Sequence, residues 1–258
     1  MFIIKIGGSV ITDKSKPDSF KKDVLSDLSK QIKKSKKEII LVHGAGSYGH
    51  IQAKKYNLNQ GFKKSNQIYG FSLTHAMVQN LNSLVLKSLH ENGISAVSLP
   101  PHSILKLKNH NFSSFNSDIF RDYLKLGITP VTFGDVVLDE KLGFSICSGD
   151  ILMQILCGCF KPEKAIFVID EDGLYTSNPK INKNAKLINS TTIENLTQLT
   201  VSADKHDDVT GGMGGKIETI KNIAKLGIDT VLVNGNKPDR LFNVLKGKET
   251  KSTTIYGV

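Results

Sequence analysis

The chain reads as an α/β protein: a mainly parallel central sheet covered by helices on both faces. Short apolar, β-branched runs alternate with helix-period segments along the whole length. The runs are apolar at successive positions, as strands buried on both sides are. Glycine-rich turns follow them, at Gly7-Gly8, Gly44-Ala45-Gly46, Gly134-Asp135 and Asn234-Gly235-Asn236. In such sheets ligands bind beyond the carboxyl ends of the strands, where these turns gather.

Taken in order, Phe2–Ile6 is a strand entering Gly7-Gly8-Ser9. Residues 19–35 form an amphipathic helix with Phe20, Val24, Leu25, Leu28 and Ile32 on one face. Residues 39–42 are the second strand, which opens through Gly44, Gly46 and Gly49 onto a helix over 51–56. Residues 71–92 are a long helix, with Met77, Val78, Leu81, Leu84, Val85 and Leu89 at helical spacing and Gly93 as its stop. Strands are expected at 96–99 and Thr129–Phe133, with a helix at 118–126 between them. A hairpin over 136–147 precedes Ser148-Gly149-Asp150, which caps a helix to about Phe160. Residues 165–169 are a strand, and 177–208 a polar stretch without an assigned element. The turn from Thr210 to Lys216 opens a helix to Leu226, followed by a strand at 230–233, a helix at 239–245 and a strand at 253–256. The expectation is a single domain over 1–258 with a soft division near Phe160.

At 258 residues and 39% hydrophobic, the chain can bury a full core. Its net charge of +10 is compatible with nucleic acid, a membrane surface or small acidic molecules. Arg121 and Arg240 are its only arginines, which argues against nucleic acid, where bidentate arginine contacts prevail. Cys147, Cys157 and Cys159 have neither disulfide nor metal spacing and read as buried thiols. No apolar run reaches the ~18 residues of a membrane span and no leader precedes the first strand, so a cytoplasmic protein is expected.

The stretch from His43 to His50 carries the strongest chemistry. Glycines let the backbone approach a ligand, and free N–H groups at a helix start favour an anion. His50 falls on the first turn, within reach of the same anion. Gly44-x-Gly46-x-x-Gly49 also matches a dinucleotide fingerprint, but no Asp or Glu occurs between Glu38 and Glu91 to hold a ribose. The same window holds Lys54, Lys55, Lys63, Lys64 and Lys87, a field suited to a phosphorylated ligand.

Lys5-Ile6-Gly7-Gly8-Ser9 puts an ammonium and bare N–H groups at one strand end, which favours phosphate binding over a solvated lysine. Lys14 by itself reads as a surface-loop lysine. Gly211, Gly212, Gly214, Gly215 and Lys216 form a third phosphate-cradling turn; it departs from the Walker A pattern at Thr210 and Ile217. Asp170-Glu171-Asp172-Gly173 is either a carboxylate set that orients magnesium or lysines, or an acidic turn, and Tyr175 stands beside it. For Ser148 and Asp150 capping alone is a sufficient reason. Near His50 there is no carboxylate to receive a hydroxyl proton. An acceptor that is already an anion needs none, since a phosphate has its second pKa at about 6. Lysines to offset converging charge and a histidine to hold the acceptor suit phosphoryl transfer onto an anion.

Lys5-Ile-Gly-Gly-Ser, His43-Gly-Ala-Gly-Ser-Tyr-Gly-His50, Ser148-Gly-Asp, Asp170-x-Asp-Gly, Asp208-Val-Thr-Gly-Gly-Met and Asn234-Gly-Asn, in this order, resemble the amino acid kinase superfamily. Within it the chain is most similar to the archaeal-type isopentenyl phosphate kinases, over essentially its whole length. His50 is the most specific element, because acetylglutamate, UMP and carbamate kinases share the first loop without this histidine. The resemblance implies a three-layer αβα sandwich, a homodimer, and phosphorylation of isopentenyl phosphate by ATP with Mg²⁺, in an alternative mevalonate route. It implies an acceptor lobe over about 1–160 and a nucleotide lobe over about 161–258.

Residue by residue, it implies that His50 holds the acceptor phosphate, with Ala45, Gly46 and Gly149 lining its site. Lys5 and Lys216 would hold the β- and γ-phosphates with Gly7, Gly8, Ser9, Gly46 and Gly212. Lys14 would stabilise the transferring group, and Asp170, Gly173 and Tyr175 would border the nucleotide. No protein metal ligand is assigned. Three positions depart from the family pattern: Ala45 replaces a frequent glycine, Ile151 a frequent second aspartate, and Ile169 a frequent threonine. The alternatives are a kinase for another small anion, such as a fosfomycin-type phosphonate, or a nucleotide- or RNA-binding protein without catalysis. Intact Lys5, Lys14, His50 and Lys216 argue against the last.

Overall fold

The computed structural model describes residues 1–13, 16, 18–177, 179, 181–199 and 212–258. The amino-terminal part runs β1 (Phe2–Ile6), α1 (Gly8–Ile11), α2 (Lys22–Ser35), β2 (Ile39–His43), α3 (Gly46–Lys55) and α4 (Asn66–Glu91). Next come β3 (Ala96–Ser98), α5 (Pro101–Ile104), β4 (Leu105–Lys108), β5 (Asn111–Phe115), α6 (Asp118–Lys125) and β6 (Thr129–Phe133). The hairpin β7 (Asp135–Asp139) and β8 (Gly143–Cys147) leads into α7 (Gly149–Phe160) and β9 (Lys164–Ile169). The remainder is β10 (Leu174–Tyr175), β11 (Leu187–Ile188), β12 (Ser190–Thr191), α8 (Ile193–Leu199), α9 (Gly212–Ala224), β13 (Thr230–Asn234), α10 (Arg240–Leu245) and β14 (Ser252–Ile255).

The central sheet has the order β12-β14-β13-β9-β1-β2-β6-β3. It is parallel from β13 to β3, and β14 runs antiparallel to β13 at one side. β1 lies between β2 and β9, with register partners Lys5, Val42 and Phe167 across the three strands. Because side chains alternate along a strand, Phe2, Ile4 and Ile6 face one side and Ile3 and Lys5 the other. The first side packs against Leu25 and Leu28 of α2, Leu81 and Val85 of α4 and Leu241 of α10. The second packs against Leu152 and Leu156 of α7 and Ile217 and Ile220 of α9. The expected helix–sheet–helix layering is present, and the alternation puts Lys5 on the α7–α9 face.

Several boundaries differ from the sequence reading for tertiary reasons. α2 begins at Lys22 because Phe20 bridges to Thr12. α4 begins at Asn66, five residues before the apolar period starts. There the Gln67 side chain accepts from the N–H groups of Lys63 and Lys64 and donates to the carbonyls of Tyr56 and Asn57, starting the helix from a polar residue. The hairpin β4–β5 escaped the periodicity because its strands are short; it joins a separate four-stranded sheet, β5-β4-β7-β8, whose Leu105, Leu107 and Val137 share the core of the main sheet. The Asp139 carboxylate ties both hairpin turns together, accepting from the N–H groups of Asn109, His110, Lys141 and Leu142 and from the Ser145 hydroxyl. Burial alone would raise its pKa, and these donors outweigh it, leaving the carboxyl well below its ordinary value. In the stretch from 177 to 208, β11, β12 and α8 are only two to seven residues long, too short for a period to stand out.

Candidate active site

A cavity of about 200 Å³ lies at the carboxyl ends of β1, β2, β6 and β9. It sits at the end of β1, between β2 on one side and β9 on the other, where the two halves of the sheet meet, the position expected of a ligand crevice in an open α/β fold. Gly8, Gly46 and Gly149, the first residues of α1, α3 and α7, all line it. The N-caps of α1 and α3, Gly7 and Ala45, offer no side-chain cap. Helix starts aimed at one space present N–H groups and positive dipole ends to whatever occupies it.

The two glycine loops touch backbone to backbone. A Cβ on Gly8 would stand 2.6 Å from the Gly46 nitrogen, and one on Gly44 2.6 Å from the Gly8 nitrogen. Gly46 has φ +52, a conformation that also favours glycine. Thr12 fastens the loops: its hydroxyl donates to the Gly8 carbonyl at 2.8 Å and accepts from Ser47 N–H at 3.1 Å. Sequence reasoning missed Thr12, since a lone threonine near a turn carries no distinctive signal. Gly8→Ala is therefore expected to cost about 1–3 kcal/mol of stability, because rigid backbone cannot yield to the new methyl. Gly158→Ala, mid-helix with open space around it, is expected to gain about 0.5–1 kcal/mol. Urea unfolding of both variants checks the pair, and equal effects would contradict the loop contact.

At the base of the cavity Lys5 Nζ meets Asp150 Oδ1 at 2.6 Å and Lys216 Nζ meets the same oxygen at 3.4 Å. Both ammoniums also lie over the Phe167 ring, 5.8 and 5.7 Å from its centroid. Burial first, then the neighbouring Lys216 charge, push the Lys5 ammonium down to about 8 against the pull of Asp150. Burial would raise Asp150, but Lys5 and Lys216 outweigh it and hold the carboxyl below its ordinary value. Two cations on one carboxylate leave a surplus positive charge in a poorly hydrated place, which an incoming anion relieves. Capping of α7 does not require Asp150: the Ser148 side chain accepts from Ile151 N–H at 3.2 Å. The sequence reading gave Asp150 only a capping role, because its lysine partners lie 145 and 66 positions away.

The structure brings Lys5, Gly7, Gly8, Ser9, Ala45, Gly46, His50, Gly149, Asp170 and Lys216 to this single cavity. Gly212 opens α9, one turn ahead of Lys216. Lys14 and most of the third glycine turn's approach, residues 200–211, lie outside the described residues. Gly173 and Tyr175 are not among the lining residues. A Cβ on Gly173 would collide with the Thr253 hydroxyl, and Tyr175 pairs with Leu187 in β10–β11. The acidic turn also divides. Asp170 and Glu171 face the cavity, whereas Asp172 accepts from Asn234 at 2.8 Å and Arg240 at 2.6 Å.

Beyond His50 the wall turns more apolar, with Ala53, Val78, Val136 and Ile146. Of the long-helix residues, Val78 reaches the cavity, while Leu81 and Val85 belong to the core. His43 is no candidate base: burial pushes its ring down to about 4, and it stacks on Phe133. Of the cysteines, Cys147 and Cys157 are buried, with thiol pKa values raised by that burial, and Cys159 is half-buried. Among the described residues no helix is long and apolar enough to cross a membrane.

Residues 1–234 match the model of the amino acid kinase family. The chain is 36% identical to the isopentenyl phosphate kinase of Methanothermobacter thermautotrophicus, covering 100% of this chain and 99% of that protein. It is 34% identical to the isopentenyl phosphate kinase of Thermoplasma acidophilum, with 99% of each covered. A solved isopentenyl phosphate kinase superposes with a TM-score of 0.87 at 33% identity, and a substrate complex of such a kinase with 0.82 at 29%, each over 99% of both chains.

Proposed function

The chain belongs to the amino acid kinase family, and we propose that it transfers the γ-phosphoryl group of ATP to isopentenyl phosphate, giving isopentenyl diphosphate and ADP. The observation that carries this reading is the Lys5–Asp150–Lys216 cluster facing three glycine-led helix starts in one cavity with His50. An oxygen of the acceptor phosphate attacks the γ-phosphorus as the bond to the β–γ bridging oxygen breaks. The leaving ADP keeps that electron pair. The acceptor is already ionised, so no base is required.

In this reading Lys5 and Lys216 offset the charge of the β- and γ-phosphates, with N–H groups of Gly7, Gly8 and Ser9 beside them and Gly212 at the head of α9. His50 holds the acceptor phosphate, next to Ala45, Gly46 and Gly149. Lys14 is proposed to stabilise the transferring group, and Gly173 and Tyr175 to border the nucleotide beyond the cavity. Asp170 and Glu171 on the cavity wall have the hard oxygen donors that suit Mg²⁺. The bound ion would offset phosphate charge. The wall of Ala53, Val78, Val136 and Ile146 suits a short hydrocarbon tail. Residues 1–160 are proposed to carry the acceptor and 161–258 the nucleotide, in a cytoplasmic homodimer whose mass light scattering would measure.

ADP release with ATP–Mg²⁺ tests the acceptor, offering isopentenyl phosphate, dimethylallyl phosphate, fosfomycin, N-acetylglutamate and UMP. Turnover confined to the isoprenoid phosphates is expected. Turnover on another anion alone would overturn the substrate and keep the fold. The pH profile tests Lys5. Its ammonium is charged below about 8 and loses its proton above, so kcat/KM for ATP is expected to fall as pH rises through that value. In kcat the limb should lie higher, because bound phosphates favour the charged form. A kcat/KM for ATP that stays level to pH 10 would remove Lys5 from the nucleotide role.

A further inference from the structure

Across the cavity wall from the lysine cluster, two imidazoles and one carboxylate converge from separate elements. His75 comes from α4, His102 from α5 and Asp135 from the first position of β7. Asp135 Oδ2 is 2.7 Å from His75 Nδ1 and 3.8 Å from His102 Nδ1. The two rings stand edge to face with centroids 4.2 Å apart. The other carboxylate oxygen, Oδ1, accepts from Val136 N–H at 2.8 Å and is thereby oriented. A single His–Asp ion pair explains His75 and Asp135 and leaves the position of His102 without a reason, since 3.8 Å is too long for a hydrogen bond.

We propose that His75, His102 and Asp135 form a binding site for a divalent transition ion of the Zn²⁺ class, beside the acceptor cavity. The three donor atoms lie within 4.8 Å of one another. Donors around a tetrahedral ion with bonds of about 2.1 Å stand about 3.4 Å apart, so the 2.7 Å His75–Asp135 pair opens by several tenths of an ångström and the His102 ring swings in to complete the set. The His102 side chain is 37% exposed on a one-turn helix, so its outer side is not packed against protein. The His75 side chain is 25% exposed and the Asp135 carboxylate fully covered, so solvent reaches the imidazole side while the carboxylate stays fixed. Two nitrogens and one oxygen favour Zn²⁺ or Co²⁺ over Mg²⁺ and Ca²⁺, which prefer oxygen donors throughout. Three protein ligands leave a position for water, and a bound ion ties α4, α5 and β7 together. The proposal does not depend on the reaction assigned above.

The test is calorimetric titration of ZnCl₂ into chelator-treated full-length protein, with the visible spectrum of the Co²⁺ adduct as a second signal. One equivalent of Zn²⁺ is expected, with Mg²⁺ unable to displace it. His102→Ala is expected to weaken binding by more than about 100-fold, since even loss of a partner behind a ligand costs 10- to 100-fold. His102→Ala should also abolish the Co²⁺ spectrum while far-UV circular dichroism stays unchanged. Cys159→Ser is expected to bind as the parent does. Failure of the parent to bind an equivalent of Zn²⁺, or binding by His102→Ala and His75→Ala as tight as the parent's, would overturn the site and leave an ion pair.

Discussion

Replacement of Asp150 by alanine is expected to lower the stability of the fold by about 3–5 kcal/mol, the range found when one partner of a buried ion pair is removed. Lys5 is 6% exposed and the Asp150 oxygen 2.6 Å away is its closest counter-charge. Without that carboxylate the Lys5 and Lys216 ammoniums, which both meet its Oδ1, are left close together beside the Phe167 ring. Lys5 then relieves the repulsion by giving up its proton at a pH lower still than about 8. The alkaline limb in kcat/KM for ATP should therefore move down in Asp150→Asn, which keeps the shape and drops the charge. Magnitude separates this role from helix capping. A charge that only met the dipole of α7 would contribute about 0.3–1 kcal/mol, and Ser148 already serves as the cap. Urea unfolding at pH 7 measures the difference, and a loss under about 1 kcal/mol would return Asp150 to the helix.

The second large effect is expected at His50. If its ring holds the acceptor phosphate as charge redistributes toward the transition state, His50→Ala should lower kcat/KM for isopentenyl phosphate by about 10²–10³, the typical loss of one positioned donor. ATP affinity, governed by the lysine cluster, should change little. His50→Gln keeps an N–H donor at similar reach and is expected to recover part of the loss. Equal losses for acceptor and nucleotide would instead indicate a disturbed α3, and full activity in His50→Ala would remove the acceptor assignment.

Much of the architecture was readable from local signals. The alternation Phe2-Ile3-Ile4-Lys5-Ile6 places the lysine opposite Ile4 and Ile6, and the glycines after β1 and β2 mark where backbone approaches a ligand. The hairpin at Leu105–Phe115 was not readable, because β4 is only four residues long and β5, Asn-Phe-Ser-Ser-Phe, is mostly polar and exposed. The start of α4 was not, because Gln67 builds it through bonds to Tyr56 and Asn57 rather than through an apolar face. Met77, Val78, Leu81 and Val85 share one helical period, yet only the packed fold distinguishes the Val78 that lines the cavity from the Leu81 and Val85 that fill the core.

The sequence by itself determined the layered α/β class, the strand ends that carry the site and the residue types gathered there. These follow from periodicities and turn chemistry that act within windows of a few residues. Only the tertiary structure decided who partners whom. Asp150 lies 145 positions from the lysine it neutralises, Thr12 35 positions from the Ser47 N–H that it receives, and Asp135 60 positions from His75. Such pairs cross elements whose relative placement is set by burial of the two apolar faces of the sheet. That burial is non-directional, so no short stretch of sequence carries its outcome.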